Sequence, residues 1–314
     1  MAFSETELTL PSFAKINLHL RVLGRRADGY HEIRTVFQTV TLHDRLTFRT
    51  LPGERLELTC DAPDIPADET NLVHRAAVRL RERSGVRRGA AIEIEKHIPS
   101  GGGLGGGSSN AAVALLALAR LWEVEAGAAE LAEIGAGLGS DVPFFLTGGT
   151  ALGTGRGEQV VPLADAAHAH LVVVSPPVKV STAEAYKSLS APALTKDEAA
   201  VNFYVSHEAA DFSCSLREAL TNDFEPAVFR QFPEIERARD ALIGAGARGA
   251  LLSGSGSSVF GIFDSREQAA RAADTLRGAR VGKVFACETL ARGRYWESMG
   301  ASAQWPSRLD GASG

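Results

Sequence analysis

Pro99-Ser100-Gly101-Gly102-Gly103-Leu104-Gly105-Gly106-Gly107-Ser108-Ser109-Asn110-Ala111-Ala112 decides how the rest of the chain is read. Six of the seven residues from Gly101 to Gly107 are glycine. Glycine costs conformational entropy, so this density marks a backbone that bends tightly or lets another group come close. Ser108, Ser109 and Asn110 are residue types that cap helices, and Ala111 to Leu121 is a run of strong helix formers. An apolar strand, Ala90 to Ile94, precedes the loop. The pattern is a glycine loop feeding a helix N-terminus. Free N–H groups and the positive end of the helix dipole converge there on one spot suited to a phosphate. The tight apolar flanks argue against a flexible linker.

Two other phosphate loops fail on inspection. A P-loop needs Lys before its Ser or Thr, and Gly107 precedes Ser108. Gly101, Gly103 and Gly106 satisfy G-x-G-x-x-G, but the acidic residues that follow, Glu123 and Glu125, fall near the end of the helix and not after a second strand.

Upstream, Ser12 to Val22 alternates. Ala14, Ile16, Leu18, Leu20 and Val22 make one face of a half-buried strand, and Lys15, Asn17, His19 and Arg21 the other. Lys15 and Asn17 are therefore neighbours on the polar face. A turn centred on Asp28-Gly29 leads through Tyr30-His31-Glu32 to strands over Ile33 to Leu42, Arg45 to Thr50 and Arg55 to Cys60, read as an antiparallel run. Tyr30 and His31 are either ordinary surface residues or the edge of a site for a planar ligand. Asn71 to Ser84 reads as a helix carrying Arg75, Arg79, Arg81 and Arg83. It lacks interleaved aromatics, so a solvated face is favoured over a nucleic-acid face.

Downstream, Ala128 to Leu138 reads as a helix and ends before Ser140-Asp141-Val142-Pro143-Phe144-Phe145, where Asp141 has the position of a cap. A domain boundary falls near Val161 to Ala167. Beyond it, strands at His170 to Val174, Gly249 to Leu252, Val259 to Phe263 and Lys283 to Leu290 alternate with helices over Ser181 to Leu189, Glu234 to Ala245 and Arg266 to Leu276. That order suits a split-βαβ, ferredoxin-like domain. The stretch from Lys196 to Phe212 has only Phe203, Tyr204 and Phe212 as strong apolar anchors. A second glycine-serine loop, Ser253 to Ser258, joins two of the strands. Residues 295–314 read as a loose tail with Trp305 as an anchor.

The whole chain has 314 residues, 45% apolar and 23% charged residues, and a net charge of −5. These values describe a globular two-domain protein and weigh against a nucleic-acid or membrane-surface role. The cysteines, Cys60, Cys214 and Cys287, form neither a disulfide framework nor a zinc motif, which fits a reducing cytoplasm. No secretory signal or membrane span is read. Oligomeric state is left open between monomer and weak homodimer.

Taken together, Lys15-Ile16-Asn17-Leu18, the loop from Pro99 to Ala112 and Leu252-Ser253-Gly254-Ser255-Gly256 resemble the GHMP kinases, a superfamily of small-molecule kinases. Asp28-Gly29-Tyr30-His31-Glu32 and Ser140-Asp141-Val142-Pro143-Phe144-Phe145 narrow the resemblance to its branch that acts on a cytidine-diphosphate-linked methylerythritol in non-mevalonate isoprenoid synthesis. The match runs from about Phe13 to Leu290. It implies an α/β (α+β) two-domain fold, with a ribosomal-S5-like ATP domain over 1–162 and a ferredoxin-like acceptor domain over 163–294. It implies transfer of the ATP γ-phosphoryl group to the acceptor's 2-hydroxyl, with Mg²⁺. Lys15 and Asp141 resemble the catalytic pair, Asp141 receiving or orienting the hydroxyl proton and Lys15 offsetting developing charge. Asn71, Lys96 and the run Pro99, Ser100, Gly101, Gly102, Gly103, Leu104, Gly105, Gly106, Gly107, Ser108, Ser109 would hold ATP. Asn17, Tyr30, His31, Thr182 and Tyr186 would hold the acceptor, with Tyr186 on the far side of the cytosine from Tyr30 and His31, where the family often has Phe. The Mg²⁺ ligand is left unknown, Ser108 or Ser109 being the candidates. Competing readings are a homoserine- or mevalonate-type kinase, a non-catalytic nucleotide-binding module and an RNA-binding protein.

Overall fold

The computed structural model describes residues 6–189 and 220–300. One long hairpin organises it. β1 (Glu7–Arg25) and β2 (His31–Leu51) pair antiparallel from Glu7↔Arg49 to Arg25↔His31. Gly29, at φ +86°, makes the turn that a side chain would strain. Ile33 to Leu42 and Arg45 to Thr50 are one strand and not two, because His43 and Asp44 keep their pairing with Phe13 and Ser12. β3 (Leu56–Cys60) departs from the expected antiparallel run. It lies parallel to β4 (Gly89–Glu95), and α1 (Leu72–Ser84) provides the crossover such a pair requires. Asn71 starts α1 by accepting from the Val73 N–H, and Gly85 ends it at φ +70°. Arg79 and Arg83 of α1 and Arg87 and Arg88 of the loop after it pair with Glu54, Glu82, Glu123, Glu130 and Glu133, so much of this basic face is balanced by carboxylates.

α2 (Gly106–Leu121) begins earlier than the sequence suggested. Its N-cap is Gly105 at φ +71°, so Ser108, Ser109 and Asn110 lie inside the first turns and do not cap it. The helix is apolar nearly all round and correspondingly buried. It sits in a core shared by the first sheet, α1, α3 (Ala128–Leu138) and α4 (Val142–Phe145). β5 (Thr150–Thr154) and β6 (Gln159–Pro162) extend this sheet from β2.

The second sheet contains β7 (His170–Ser175), β9 (Gly249–Leu252), β10 (Val259–Phe263) and β11 (Lys283–Glu288), in the order β11-β7-β10-β9. All its pairings are antiparallel, the ferredoxin-like arrangement. The short β8 (Thr221–Asn222) joins the other sheet, parallel to β1. A core formed with α5 (Thr182–Ser188), α6 (Glu225–Gln231), α7 (Pro233–Gly244) and α8 (Arg266–Gly278) covers one face of the second sheet. Its other face packs Leu171, Val173, Leu251 and Phe260 against Ala14, Ile16 and Leu18 of β1. β1 is thus buried on both faces here: Lys15 and Asn17 are 3% and 1% exposed, where a solvated face was expected.

The loose tail expected from residue 295 is corrected at its start. α9 (Arg292–Ser298) puts Tyr295, Trp296 and Met299 into the first core. The Tyr295 hydroxyl donates to the Phe145 carbonyl and the Trp296 indole N–H to that of Thr147. Two aromatic residues and a methionine spaced along one helix are an apolar anchor that the surrounding polar residues masked. Residues 301–314, Phe203, Tyr204, Phe212 and Cys214 lie outside the described residues. No described helix is long and apolar enough to cross a membrane. Tyr295→Ala should destabilise the protein by about 3–5 kcal/mol, the usual cost of deleting a buried aromatic ring. Urea unfolding measures this, and a change below about 1 kcal/mol would mean that α9 is not part of the core.

Candidate active site

The glycine loop is shaped by contact as much as by turns. Gly101, Gly103 and Gly105 take φ of +70°, +75° and +71°. A Cβ on Gly103 would fall 2.0 Å from the Ser253 carbonyl oxygen. Here the two glycine-rich loops touch: Ser253 Oγ donates to the Gly103 carbonyl at 3.0 Å, and the Ser258 N–H to that of Gly102 at 3.0 Å. The Lys15 N–H donates to the Leu104 carbonyl at 3.0 Å, fastening the loop to β1. A cavity of about 380 Å³ opens over the loop, lined by Pro99 to Ser108 together with Asn71 and Lys96. Asn71's amide is committed to Val73 and to the Pro66 carbonyl, so it shapes this wall as a cap.

Ser109 does not face the cavity. It is fully buried, its N–H bonds the Gly105 carbonyl, and its hydroxyl accepts from Ser12 at 2.8 Å. Its hydroxyl and N–H are thus engaged within the protein. Ser108 lines the cavity.

Beneath the loop is a buried polar network that the sequence reading missed. Asp44 has no solvent exposure. Its carboxylate accepts from the His97 and Ile98 N–H groups at 2.8 Å each, from Asn110 Nδ2 at 2.9 Å and from Lys96 Nζ. Asn110 also donates to Ser12 and accepts from Lys96. A carboxylate fully paired in this way fixes both ends of the glycine loop, Ile98 before it and Asn110 after it. The signal was parity: Asp44 shares a strand face with the buried Leu46 and Phe48, where an unpaired charge would be prohibitive.

On the other side of Lys15 lies a larger cavity of about 830 Å³. Lys15, Asn17, Tyr30, His31, Asp141, Thr182 and Tyr186 all line it, so the expected catalytic and acceptor residues meet in one place. Lys15 Nζ donates to Asn17 Oδ1 at 2.6 Å, lies 3.3 Å from Asp141 Oδ2 and stands 5.4 Å from the Phe37 ring centroid. Asn17 in turn donates to Thr35 Oγ1 at 2.7 Å, which fixes its amide. Asp141 occupies the N-cap of α4 but makes no side-chain cap bond. Its carboxylate is 31% exposed toward the cavity, free to meet a ligand. Thr182, Tyr186, Phe224, Gly254 and Ser255 are among the residues that reach the cavity from the second-sheet half, so its wall is shared between the halves.

The aromatic group departs from a ready-made slot. His31 and Tyr186 stack directly on each other, with ring centroids 4.7 Å apart and planes 20° apart. A base between them would need about 7 Å, twice a van der Waals contact. Tyr30 is exposed, and the Arg156 guanidinium lies 4.8 Å from its ring. Arg156 is a second residue the sequence reading missed. Burial, followed by the nearby Asp141 charge, pushes the Tyr186 hydroxyl up to about 12, so it is a neutral donor and not a base. Burial and then Arg25 lower the pKa of His31, favouring the neutral imidazole.

A glycine cradle beside a buried lysine paired with a partly exposed aspartate is an arrangement suited to a small-molecule kinase, and models of the GHMP kinase N-terminal and C-terminal domains match residues 71–149 and 209–281. The particular family follows from sequence. The chain is 44% identical over 273 residues to the 4-diphosphocytidyl-2-C-methyl-D-erythritol kinase of Pelotomaculum thermopropionicum, covering 86% of this chain and 94% of that one. It is 43% identical to the enzyme of the same name from Pseudomonas entomophila, covering 88% and 92%. A crystal structure of 4-(cytidine 5'-diphospho)-2C-methyl-D-erythritol kinase superposes with a TM-score of 0.74 at 36% identity, covering 90% of this chain and 99% of that one. A homoserine kinase from Cytophaga hutchinsonii, at TM-score 0.67 and 21% identity over 94% and 98%, shares the fold. The chain belongs to the 4-diphosphocytidyl-2-C-methyl-D-erythritol kinase family.

Asp44→Ala leaves Lys96 buried without its partner and should cost about 3–5 kcal/mol of stability. Chemical denaturation tests this, and a loss near that of an ordinary surface substitution would rule out the network as the loop's support.

Proposed function

We propose that the enzyme transfers the γ-phosphoryl group of ATP to the 2-hydroxyl of 4-diphosphocytidyl-2-C-methyl-D-erythritol, a step of non-mevalonate isoprenoid precursor synthesis. The observation that carries this reading is the Lys15–Asp141 pair, 3.3 Å apart, lining the larger cavity where the Lys15 backbone holds the glycine loop. Residues 1–162 form the ATP-binding unit and residues 163–294 the acceptor unit, with α9 returning to the first core. Small molecules are its partners, and the free Cys60 and Cys287 suit a reducing cytoplasm.

The triphosphate lies along Gly101 to Ser108, with N–H groups of the first turn of α2 directed at its oxygens. Asp141 meets the acceptor hydroxyl. The acceptor oxygen bonds to the γ-phosphorus as the bond from that phosphorus to the β,γ-bridging oxygen breaks. The hydroxyl proton passes to the Asp141 carboxylate and then to water, and ADP leaves. Lys15, already a cation beside this carboxylate, stabilises charge on the transferring group. Mg²⁺ suits an all-oxygen donor set: it would enter on the phosphate oxygens, with the Ser108 hydroxyl as the protein oxygen at the cradle, and neutralise phosphate charge. Asn17 and Thr182 hold the acceptor's polar groups. His31 presents its ring edge to the cytosine, and Tyr186 leaves the face of His31 to stack on the base alongside Tyr30.

Asp141→Asn should retain ATP binding and lose about 10²–10⁴-fold in kcat. ADP release with Mg-ATP and the cytidine-linked alcohol, run beside homoserine and mevalonate, tests substrate and residue together. No turnover with the cytidine-linked alcohol would overturn the substrate, and an unchanged kcat would remove Asp141 from the mechanism. Since the Tyr186 hydroxyl is held near 12, it stays protonated across neutral pH. Tyr186→Phe should therefore keep kcat/KM within about threefold, while Tyr186→Ala should raise KM for the acceptor by about tenfold, the loss of one aromatic contact. A Phe variant as impaired as the Ala variant would assign the hydroxyl an essential role.

A further inference from the structure

Away from the cleft, His168, His170 and Glu288 converge where the connection from the first sheet enters the second. His168 lies in that connection, His170 opens β7, and Glu288 closes β11 directly opposite His170. His168 Nε2 stands 3.2 Å from Glu288 Oε2, and His170 Nδ1 stands 3.3 Å from Glu288 Oε1. One ligand atom from each residue lies within 4.8 Å of the other two. His170 Nδ1 is buried and has no hydrogen-bond partner. None of the three residues lines either cavity described above.

Two imidazoles and a carboxylate are the donor set of borderline divalent ions, not of Mg²⁺ or Ca²⁺. His170 Nδ1 approaches Glu288 without a hydrogen bond, so in the tautomer protonated on Nε2 its lone pair is available to an ion. Arg266 binds Glu288 Oε1 through Nε at 3.1 Å and Nη2 at 2.7 Å. This fixes the carboxylate from outside and leaves Oε2 on the side of His168, the arrangement that outer partners give to metal ligands. We propose that His168, His170 and Glu288 form a binding site for a borderline divalent transition ion such as Zn²⁺, with water completing its coordination. The ion would join the inter-sheet connection to β7 and β11 and so brace the junction between the two halves. The site takes no part in phosphoryl transfer.

The test uses the full chain without an affinity tag. Zn²⁺ is titrated by calorimetry, and Co²⁺ is added as a spectroscopic probe. The parent should bind one equivalent of Co²⁺ with a visible d–d band that Zn²⁺ abolishes. His168→Gln, at a half-exposed position, and Glu288→Gln should each weaken Zn²⁺ binding by roughly tenfold or more. Turnover with Mg-ATP in the His168 variant should match the parent, which also shows that it folds. If Glu288→Gln does not fold, His168→Gln decides alone. A parent that binds no Co²⁺ with such a band, or a folded variant that binds Zn²⁺ as tightly as the parent, overturns the proposal. Neither result bears on the kinase assignment, which is read from turnover.

Discussion

Burial of β1 on both faces is the constraint from which the site follows. Ala14, Ile16 and Leu18 are held against Leu171, Val173, Leu251 and Phe260 of the second sheet. Strand periodicity then forces Lys15 and Asn17 to the opposite face. That face is the floor of a cavity, so a lysine that would be solvated on an isolated hairpin is 3% exposed. A cation in that position needs fixed partners. Asn17 Oδ1 and Asp141 supply them, at 2.6 Å and 3.3 Å. Packing between the halves therefore sets the position of the Lys15 charge at the cavity wall.

Much of this was legible in the sequence, for physical reasons that differ from place to place. The second-half strands at Gly249–Leu252 and Val259–Phe263 were read with the bounds the structure gives them, because short β-rich runs bounded by glycine and serine have few alternatives. Convergence of Lys15, Asp141, Tyr30, His31 and Tyr186 could be expected only through family resemblance. No local pattern relates a strand near the N-terminus to a loop more than a hundred residues later. Parity could have exposed Asp44, yet its four donors come from two separate segments that only the fold unites. The start of α2 was misplaced because serine and asparagine are good caps. A left-handed glycine at 105 took that role and freed them for the helix interior.

Across the cavity, His31 of the hairpin stacks directly on Tyr186 of α5. Two flat rings on facing elements, with nothing between them, gain by covering each other's faces. Tyr186 also packs edge-on against Phe224 at 4.9 Å, so its ring has a second apolar neighbour to pivot on. Tyr30 is held differently: its backbone N–H donates to Asp28, and Arg156 covers its ring. The side of the site carried by the hairpin is thus braced at its turn, whereas the Tyr186 side is held by ring contacts that a planar ligand can replace in kind. In the proposed complex, ring-for-ring exchange at Tyr186 would change little buried apolar area and so would cost little.

The absence of a lysine within the glycine loop is then a consequence of how the charge is delivered. In a P-loop, cradle and cation belong to one segment, and both move together. Here the cradle is held by Asp44 below, by the Lys15 N–H to the Leu104 carbonyl at its side and by Ser253 and Ser258 above. The cation comes from the same residue whose backbone makes the side contact. One residue, Lys15, therefore links the glycine loop through its amide to the Asp141 carboxylate through its ammonium. Displacement of β1 would disturb both together, so on the proposed mechanism the reaction geometry is tied to the register of the hairpin and not to the conformation of the glycines alone.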